Sequence, residues 1–436
     1  MTFETKPQLQ FGDAAAIDAS LSERARGLIG SEILKIAAEI RALIRAGRTI
    51  CNLTVGDFAA SQFPIPVALR DAIIEALHKG ETNYPPSDGL LALREAVIEH
   101  VARTLGVRYP LESVLIASGA RPLLYASYRC VLDPGDRVVY PVPSWNNNHY
   151  AWIAAAQAVE VPTRAEDGFM PRLEQLRPHL ADARLIVLNT PLNPAGTVMD
   201  PEELRALALA LVEENDRRAR ASKPHLFLVH DQVYGALVFG GAEHVHPVSL
   251  VPEAAPWVIS LDAISKTFAS TGLRVGWVLA APPVVARMAS LIGHVGAWAP
   301  RPEQVAVAKF LRDTAAVDAF HRDMSQRVSQ RLEALQRGVA ALRAQGHPVD
   351  CIAPRGAIYL SLRLDLVGRR HRGQKLADNE AIRRLLLEAA GIAVVPFQAF
   401  GLREETGWFR LSVGAVSVDD IDAAFPRLRT VLAEIE

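Results

Sequence analysis

Six short apolar runs punctuate the middle of this chain: SVLIAS (113–118), RVVYPV (137–142), RLIVLN (184–189), LFLVHD (226–231), WVISLD (257–262) and VGWVLA (275–280). Runs of this length and continuity suit strands buried on both faces, hence a largely parallel sheet. Helical patterns fall between them. Leu90, Leu93, Val97, Val101 and Leu105 recur at three- and four-residue spacing, and Gly106 follows as an expected C-cap. A second helix is expected from Asp200, with Pro201 at its first position and Glu203 completing a capping-box pattern. This alternation predicts an α/β doubly wound core.

The length of 436 residues exceeds one small domain and suits a large domain plus a smaller one. The texture changes near the end: a long helical stretch over about 318–344 leads into strand-like runs at 357–363, 392–396 and 408–412. We therefore expect an N-terminal arm (1–30), a large domain (65–310), and a smaller α+β domain built from 31–64 together with 311–436. Half the residues are apolar and 22% are charged, enough for a sizeable core. A net charge of −1 shows no electrostatic footprint for nucleic acid or an anionic membrane. Cys51, Cys130 and Cys351 are too scattered for a metal motif or a disulfide framework, so no metal site is expected and a reducing compartment is favoured. The N-terminus lacks the apolar core of a signal peptide, and no run approaches the length of a membrane span. A cytoplasmic location is expected.

Polar residues follow several of the apolar runs: Gly119, Trp145, Asn193, Asp231 and Lys266. In open α/β sheets, ligands bind beyond the carboxyl ends of the strands. Lys266 lies in SKTFASTGLRVG (265–276), with Arg274 flanked by Gly272 and Gly276. An amine can form an imine with an aldehyde cofactor, and a nearby guanidinium can pair with a phosphate. Asp231 ends an apolar run, where a carboxylate needs a partner; a protonated pyridine nitrogen would serve, and so would a plain turn or helix cap. Tyr234, three residues on, is placed to reach a ring hydroxyl. The turn NTPLNPAGT (189–197) can aim the Asn193 amide at a ligand oxygen. Trp145 can stack on a flat ring, and SGAR (118–121) opens a helix whose N-terminus can cradle phosphate.

In order and spacing these residues resemble the class I/II aminotransferases, the fold-type-I group of pyridoxal-phosphate (PLP) enzymes. The motifs carrying the resemblance are TNYPPSDG with LREA, SGA, PSW, NTPLNPAG, DQVY, SK with GLRVG, and FRLS, and they extend over about residues 31–430. The resemblance implies that Lys266 is the Schiff-base lysine and proton shuttle. It implies that Asp231 pairs with the pyridinium, that Asn193 and Tyr234 reach the ring hydroxyl, and that Trp145 stacks on the ring. Gly119, Ala120 and Arg274 would hold the phosphate, and Tyr84 would reach the phosphate of a neighbouring subunit in a homodimer. Arg410, helped by the Gly56 backbone, would grip the substrate's α-carboxylate. Four positions depart from the common pattern: Ala263 for a hydroxyl residue, Gln232 for Glu, Ala195 in N-P-A-G, and Gly56-Asp57-Phe58 for G-E-P.

The implied reaction is transfer of an amino group from an L-amino acid to a 2-oxo acid by a ping-pong mechanism. Elimination, substitution, cyclisation or oxidase-type chemistry starts from the same carbanion and remains an alternative. A non-enzymatic ligand sensor is a further one, although the residues before the matching region are few and not basic. For the substrate side chain, GHVGAWAPRPEQ (293–304) places Trp298 and Ala299 at the pocket wall, which predicts uncharged donors over aspartate. Arg301 and Arg121 are the two basic residues that would reverse this expectation.

Overall fold

The computed structural model describes residues 9, 11–28, 30 and 32–436, with the backbone alone at 32–34. Of the expected arm, residues 1–8, 10 and 29 lie outside the described residues. Its described part forms two short helices, Ala14–Ala19 and Glu23–Arg26.

A seven-stranded sheet occupies the middle of the chain, in the spatial order Val114–Ala117, Gly276–Leu279, Val258–Ala263, Phe227–Asp231, Ala183–Asn189, Arg137–Val142, Gln157–Pro162. Gly276–Leu279 runs antiparallel to both neighbours, and the other pairings are parallel. The six apolar runs become six of these strands. The edge strand Gln157–Pro162 carries no such run, because its outer face meets solvent and a single buried valine, Val161, suffices. Helices cover both faces, with one apolar core around Leu115, Val187 and Leu261, another around Ile186, Leu228 and Phe397, and a third around Val114, Ile116 and Trp277.

The helix starts and stops follow local rules. Helix Leu91–Leu105 ends at Gly106, which takes the left-handed conformation at φ 69° that glycine adopts without steric cost. Helix Pro201–Arg220 begins as expected, the Asp200 carboxylate accepting from the N–H groups of Glu202 and Glu203. The expected capping box is only half formed: Glu203 turns away and accepts from the Leu173 N–H at 2.9 Å.

Beyond the 31-residue helix Thr314–Ala344, a four-stranded antiparallel sheet forms in the order Val395–Pro396, Trp408–Ser412, Tyr359–Leu364, Val349–Ile352. The early strand Cys51–Asn52 pairs in parallel with Ile392–Ala393. Cys51, Leu53 and Phe63 share a core with Leu335, Leu362 and Leu411, so the early chain packs with the late chain. Among the described residues, no helix is long and apolar enough to cross a membrane.

Candidate active site

Strands Phe227–Asp231 and Val258–Ala263 lie side by side, with Asp231 in register with Leu261. Their parallel direction carries Asp231 and the one-turn helix Ile264–Thr267, bearing Lys266, to the same end of the sheet. Lys266 Nζ donates to the Gly56 carbonyl and faces the rings of Phe58 at 5.8 Å and Tyr234 at 6.0 Å. Burial is the chief cause that pulls its ammonium pKa down to about 8. Asp57 opposes the shift, and Arg410, Arg121 and Arg274 add to it.

Asp231 keeps some solvent contact as a residue, yet enough protein surrounds its carboxyl that burial pushes the pKa up to about 6. Its carboxylate accepts from the Val233 N–H at 3.3 Å, and no cation pairs with it among the described residues. Such a group favours a cationic ligand atom beside it. Its own carbonyl is held by Asn189 Nδ2 at 3.1 Å and the Thr190 N–H at 3.0 Å.

The turn after Asn189 positions Asn193. Asn189 Oδ1 accepts from the Asn193 N–H at 2.8 Å, and Asn193 Oδ1 accepts from Arg410 Nη1 at 3.0 Å. Arg410 is fully buried, with 0% exposure. Its Nη2 donates to the Thr54 carbonyl at 2.6 Å, and its Nε has no partner among the described residues. The guanidinium lies between the rings of Tyr359 at 4.7 Å and Phe400 at 4.9 Å. A buried cation with a spare donor is a ready carboxylate site. Gly56 borders it closely: a Cβ there would stand 3.0 Å from the Tyr359 hydroxyl and 3.7 Å from Arg410 Nη1.

Gly119 (φ 81°) precedes helix Ala120–Val131. Arg274 Nη2 donates to the Ser118 carbonyl at 3.0 Å and Nη1 to the Thr271 carbonyl at 2.8 Å. A Cβ on Gly119 would come within 2.8 Å of the Arg274 Cζ, and one on Gly276 within 2.6 Å of the Gly119 carbonyl carbon. The two glycines thus let a guanidinium and a helix N-terminus face one space, which suits a phosphate. Trp145 packs at 6.2 Å from Phe400, with the Arg121 guanidinium 5.4 Å from its ring.

Two expected residues sit elsewhere. Tyr84, 83% exposed, packs edge-on against Trp298 at 5.3 Å. Both line an open hollow with Thr82, Ala299 and Arg301, and neither Lys266 nor Asp231 is among its walls. Arg301 is tied to Glu81 at 2.6 Å. Conversely, the sequence reading missed Tyr359, whose hydroxyl meets that of Tyr234 at 2.5 Å, and Asn189, which braces Asn193 and Asp231. Asn189 ends an apolar run like the other candidates and was open to the same reasoning. Tyr359 begins a strand of the later sheet and had no such signal.

A family model of the aminotransferases of class I and II matches residues 48–428. The aspartate aminotransferase of Rhizobium meliloti (strain 1021) is 28% identical over 402 residues, covering 91% of this chain and 92% of that protein. A probable aspartate/prephenate aminotransferase of Thermus aquaticus is 30% identical over 388 residues, 87% of this chain and 93% of that one. Among solved structures, the Thermus thermophilus aspartate aminotransferase with maleate superposes with a TM-score of 0.83 at 29% identity, covering 94% and 99% of the two chains. The Rhizobium meliloti aspartate aminotransferase structure gives 0.85 at 27%, covering 95% and 99%.

Proposed function

The chain belongs to the class I and II aminotransferases, and from that premise we propose that it uses pyridoxal 5′-phosphate at Lys266 to transfer an amino group between an L-amino acid and a 2-oxo acid by a ping-pong mechanism. The observation that supports this reading is the placement of Lys266 and Asp231 at the same end of the sheet, each pushed by burial toward its neutral form.

The residues fit the cofactor. The Asp231 carboxylate, enclosed by protein and with no cation paired to it among the described residues, suits a ring nitrogen that carries a proton. Gly119, Ala120 and Arg274 suit its phosphate, and Trp145 offers a flat face. Asn193 and Tyr234 are the donors for the ring oxygen. When bound, pyridoxal phosphate supplies an aldehyde that links to amines and a ring that accepts electron density from Cα.

The protein's part is positioning and proton transfer. Arg410 holds the donor's α-carboxylate, with its guanidinium plane set by Asn193 and Thr54. That grip would turn Cα toward Lys266 Nζ, which lies within electrostatic reach of Arg410. With its pKa near 8, the amine is neutral often enough at pH 7 to remove the Cα proton, and its ammonium form can return it. Asp231 would hold a proton on the ring nitrogen of the bound cofactor, a charge pair made stronger by low local polarity.

For the donor side chain, Arg121 favours a second carboxylate. It is a cation within electrostatic reach of Lys266, and no carboxylate pairs with it among the described residues. Arg301, already paired with Glu81, is less suited. This reading departs from the expectation of an uncharged donor drawn from Trp298, which packs edge-on against Tyr84 in the outer hollow.

A homodimer is part of the proposal, with Tyr84 reaching the phosphate of a neighbouring subunit. Its support is the exposed apolar set Tyr84, Val67, Leu77 and Leu91. The domain division proposed is 65–310 against 31–64 with 311–436, supported by the pairing of Cys51–Asn52 with Ile392–Ala393. Cytoplasmic residence accords with three free cysteines.

The test is a half-reaction. Incubated with PLP and an L-amino acid alone, the protein should yield pyridoxamine phosphate and one equivalent of 2-oxo acid. Borohydride before substrate should fix the cofactor to Lys266. Release of ammonia or loss of a β-substituent instead would assign the chain to eliminating chemistry, and fixation at another lysine would remove Lys266 from its role.

A further inference from the structure

Tyr359 joins three parts of the site that are distant in sequence. Its hydroxyl meets that of Tyr234 at 2.5 Å, with ring centroids 5.6 Å apart. Its ring lies 4.7 Å from the Arg410 guanidinium, and its hydroxyl stands 3.0 Å from where a Gly56 Cβ would be. The residue is completely buried.

The backbone around it leaves little room for adjustment. Tyr359 opens the strand Tyr359–Leu364, paired with Ser412, while Ser361 on the same strand pairs with Arg410. Tyr359 and Arg410 are thus diagonal neighbours on one face of the later sheet. The turn that carries Asn193 presses on this strand. Ser361 Oγ donates to the Ala195 carbonyl at 2.9 Å, and a Cβ on Gly196 would collide with the Tyr359 carbonyl oxygen.

A phenol has one proton to donate. Two hydroxyls in contact share one hydrogen bond, so only one of them donates to the other. If Tyr234 donates to a cofactor oxygen, Tyr359 must be the donor within the pair. Burial holds both phenols above the ordinary tyrosine range, so both protons are retained. Chained hydrogen bonds polarise in one direction, which makes the outer one a better donor.

Resting on the cofactor reading above, we propose that Tyr359 is a positioning residue: its hydroxyl orients the Tyr234 proton toward the cofactor's ring oxygen, and its ring holds the Arg410 guanidinium in the plane that receives the α-carboxylate. One side chain thereby ties the donor to the cofactor ring to the clamp on the substrate. The two halves of the role separate by substitution, since Tyr359→Phe removes only the hydroxyl and Tyr359→Leu removes the ring as well.

The experiment titrates the visible band of the PLP-loaded protein with pH and measures amino-acid kinetics. Tyr359→Phe should raise the pH midpoint of the band by about 0.5–1 unit, the size of one ordinary hydrogen bond. It should lower kcat several-fold with KM within about twofold. In a Tyr234→Phe background the same substitution should leave the midpoint unmoved. Tyr359→Leu should add a rise in KM of about tenfold. Equal shifts in both backgrounds, or no shift in either, overturn the proposal. So does an unchanged KM in a Tyr359→Leu protein whose melting temperature stays within a few degrees of wild type. A wild-type protein that takes up no PLP overturns the cofactor reading and this proposal with it, whereas a normal wild-type band unmoved by Tyr359→Phe overturns the proposal alone.

Discussion

Arg410 Nη1 donates to Asn193 Oδ1 at 3.0 Å, tying the later antiparallel sheet to the turn that follows strand Ala183–Asn189. With its amide oxygen occupied, Asn193 has only Nδ2 left to offer a ligand, and the guanidinium plane is fixed for a carboxylate. Arg410→Lys keeps the charge and loses the planar fork. It should raise KM for the amino acid by about tenfold or more and lower kcat/KM accordingly, by the loss of one charge-assisted contact. Steady-state kinetics decide this. Equal reactivity of an amine lacking the α-carboxylate would contradict the role.

Asp231 gives opposite effects on stability and on turnover. In the fold, burial holds its pKa at about 6, above the ordinary 3.8 of an aspartate. The stability linked to a raised carboxylate is full below the unfolded pKa and lost as pH rises through the folded one. At pH 7 the cofactor-free protein therefore carries a penalty, at most about 3 kcal/mol. Asp231→Asn should raise the melting temperature of the cofactor-free protein at pH 7 and leave it unchanged at pH 3.5. In the loaded enzyme the same change should slow Cα–H cleavage by at least about 100-fold. A rate within threefold of wild type, read by the primary deuterium isotope effect and single-turnover kinetics, would sink the assignment.

Lys266 should reveal its depressed pKa in cofactor uptake. Only the neutral amine attacks an aldehyde. The second-order rate of PLP addition to the cofactor-free protein should climb with pH and level off near 8, well below the 10.5 of an ordinary lysine. Lys266→Ala should bind PLP weakly and lose turnover by several orders of magnitude. A profile still rising steeply beyond pH 9.5 would show that burial does not tune this amine.

Arg121 is expected to make aspartate a better donor than phenylalanine, since its guanidinium is unpaired among the described residues and lies beside Trp145. Arg121→Ala should reduce kcat/KM for aspartate by about tenfold or more and spare phenylalanine, a loss typical of a charged contact. If phenylalanine already wins in the wild type and the substitution changes nothing, the donor is uncharged and Arg121 does not read it.

Buried histidines should make the fold acid-labile. Desolvation lowers His100, His244 and His321 to about 4 and His246 to about 3, and holds His230, both of whose ring nitrogens lack hydrogen-bond partners among the described residues, well below its usual value. As pH falls below 6.5, the unfolded chain binds protons that the folded one refuses. Stability is therefore complete above pH 6.5 and declines toward pH 4, by up to about 2 kcal/mol per histidine between 6.5 and 5. His230→Leu should flatten this slope in urea unfolding at pH 8 and pH 5. An unchanged slope would mean that His230 is protonated in the fold.

Six of the seven strands of the large sheet, the main helices and the set of residues at the strand ends were legible in the sequence because each rests on a local rule; the edge strand Gln157–Pro162, half in solvent, was not. A strand buried on both faces needs an unbroken apolar run, a helix needs a 3.6-residue stripe and caps, and whatever follows a parallel strand emerges at the ligand-binding end. Asp231, Asn193, Lys266 and Arg274 were placed on such grounds, and Arg410 by likeness to a family. What the tertiary structure alone decided is which side chain each of them meets. Tyr359 reaches Tyr234 across 125 residues, Arg301 finds Glu81 across 220, and Glu203 leaves its own helix terminus for Leu173 across 30. The physical reason is range. Periodicity and capping act over a few residues of backbone, whereas a buried hydroxyl or guanidinium takes whatever partner close packing brings within about 3 Å, and that geometry exists only once distant elements have docked.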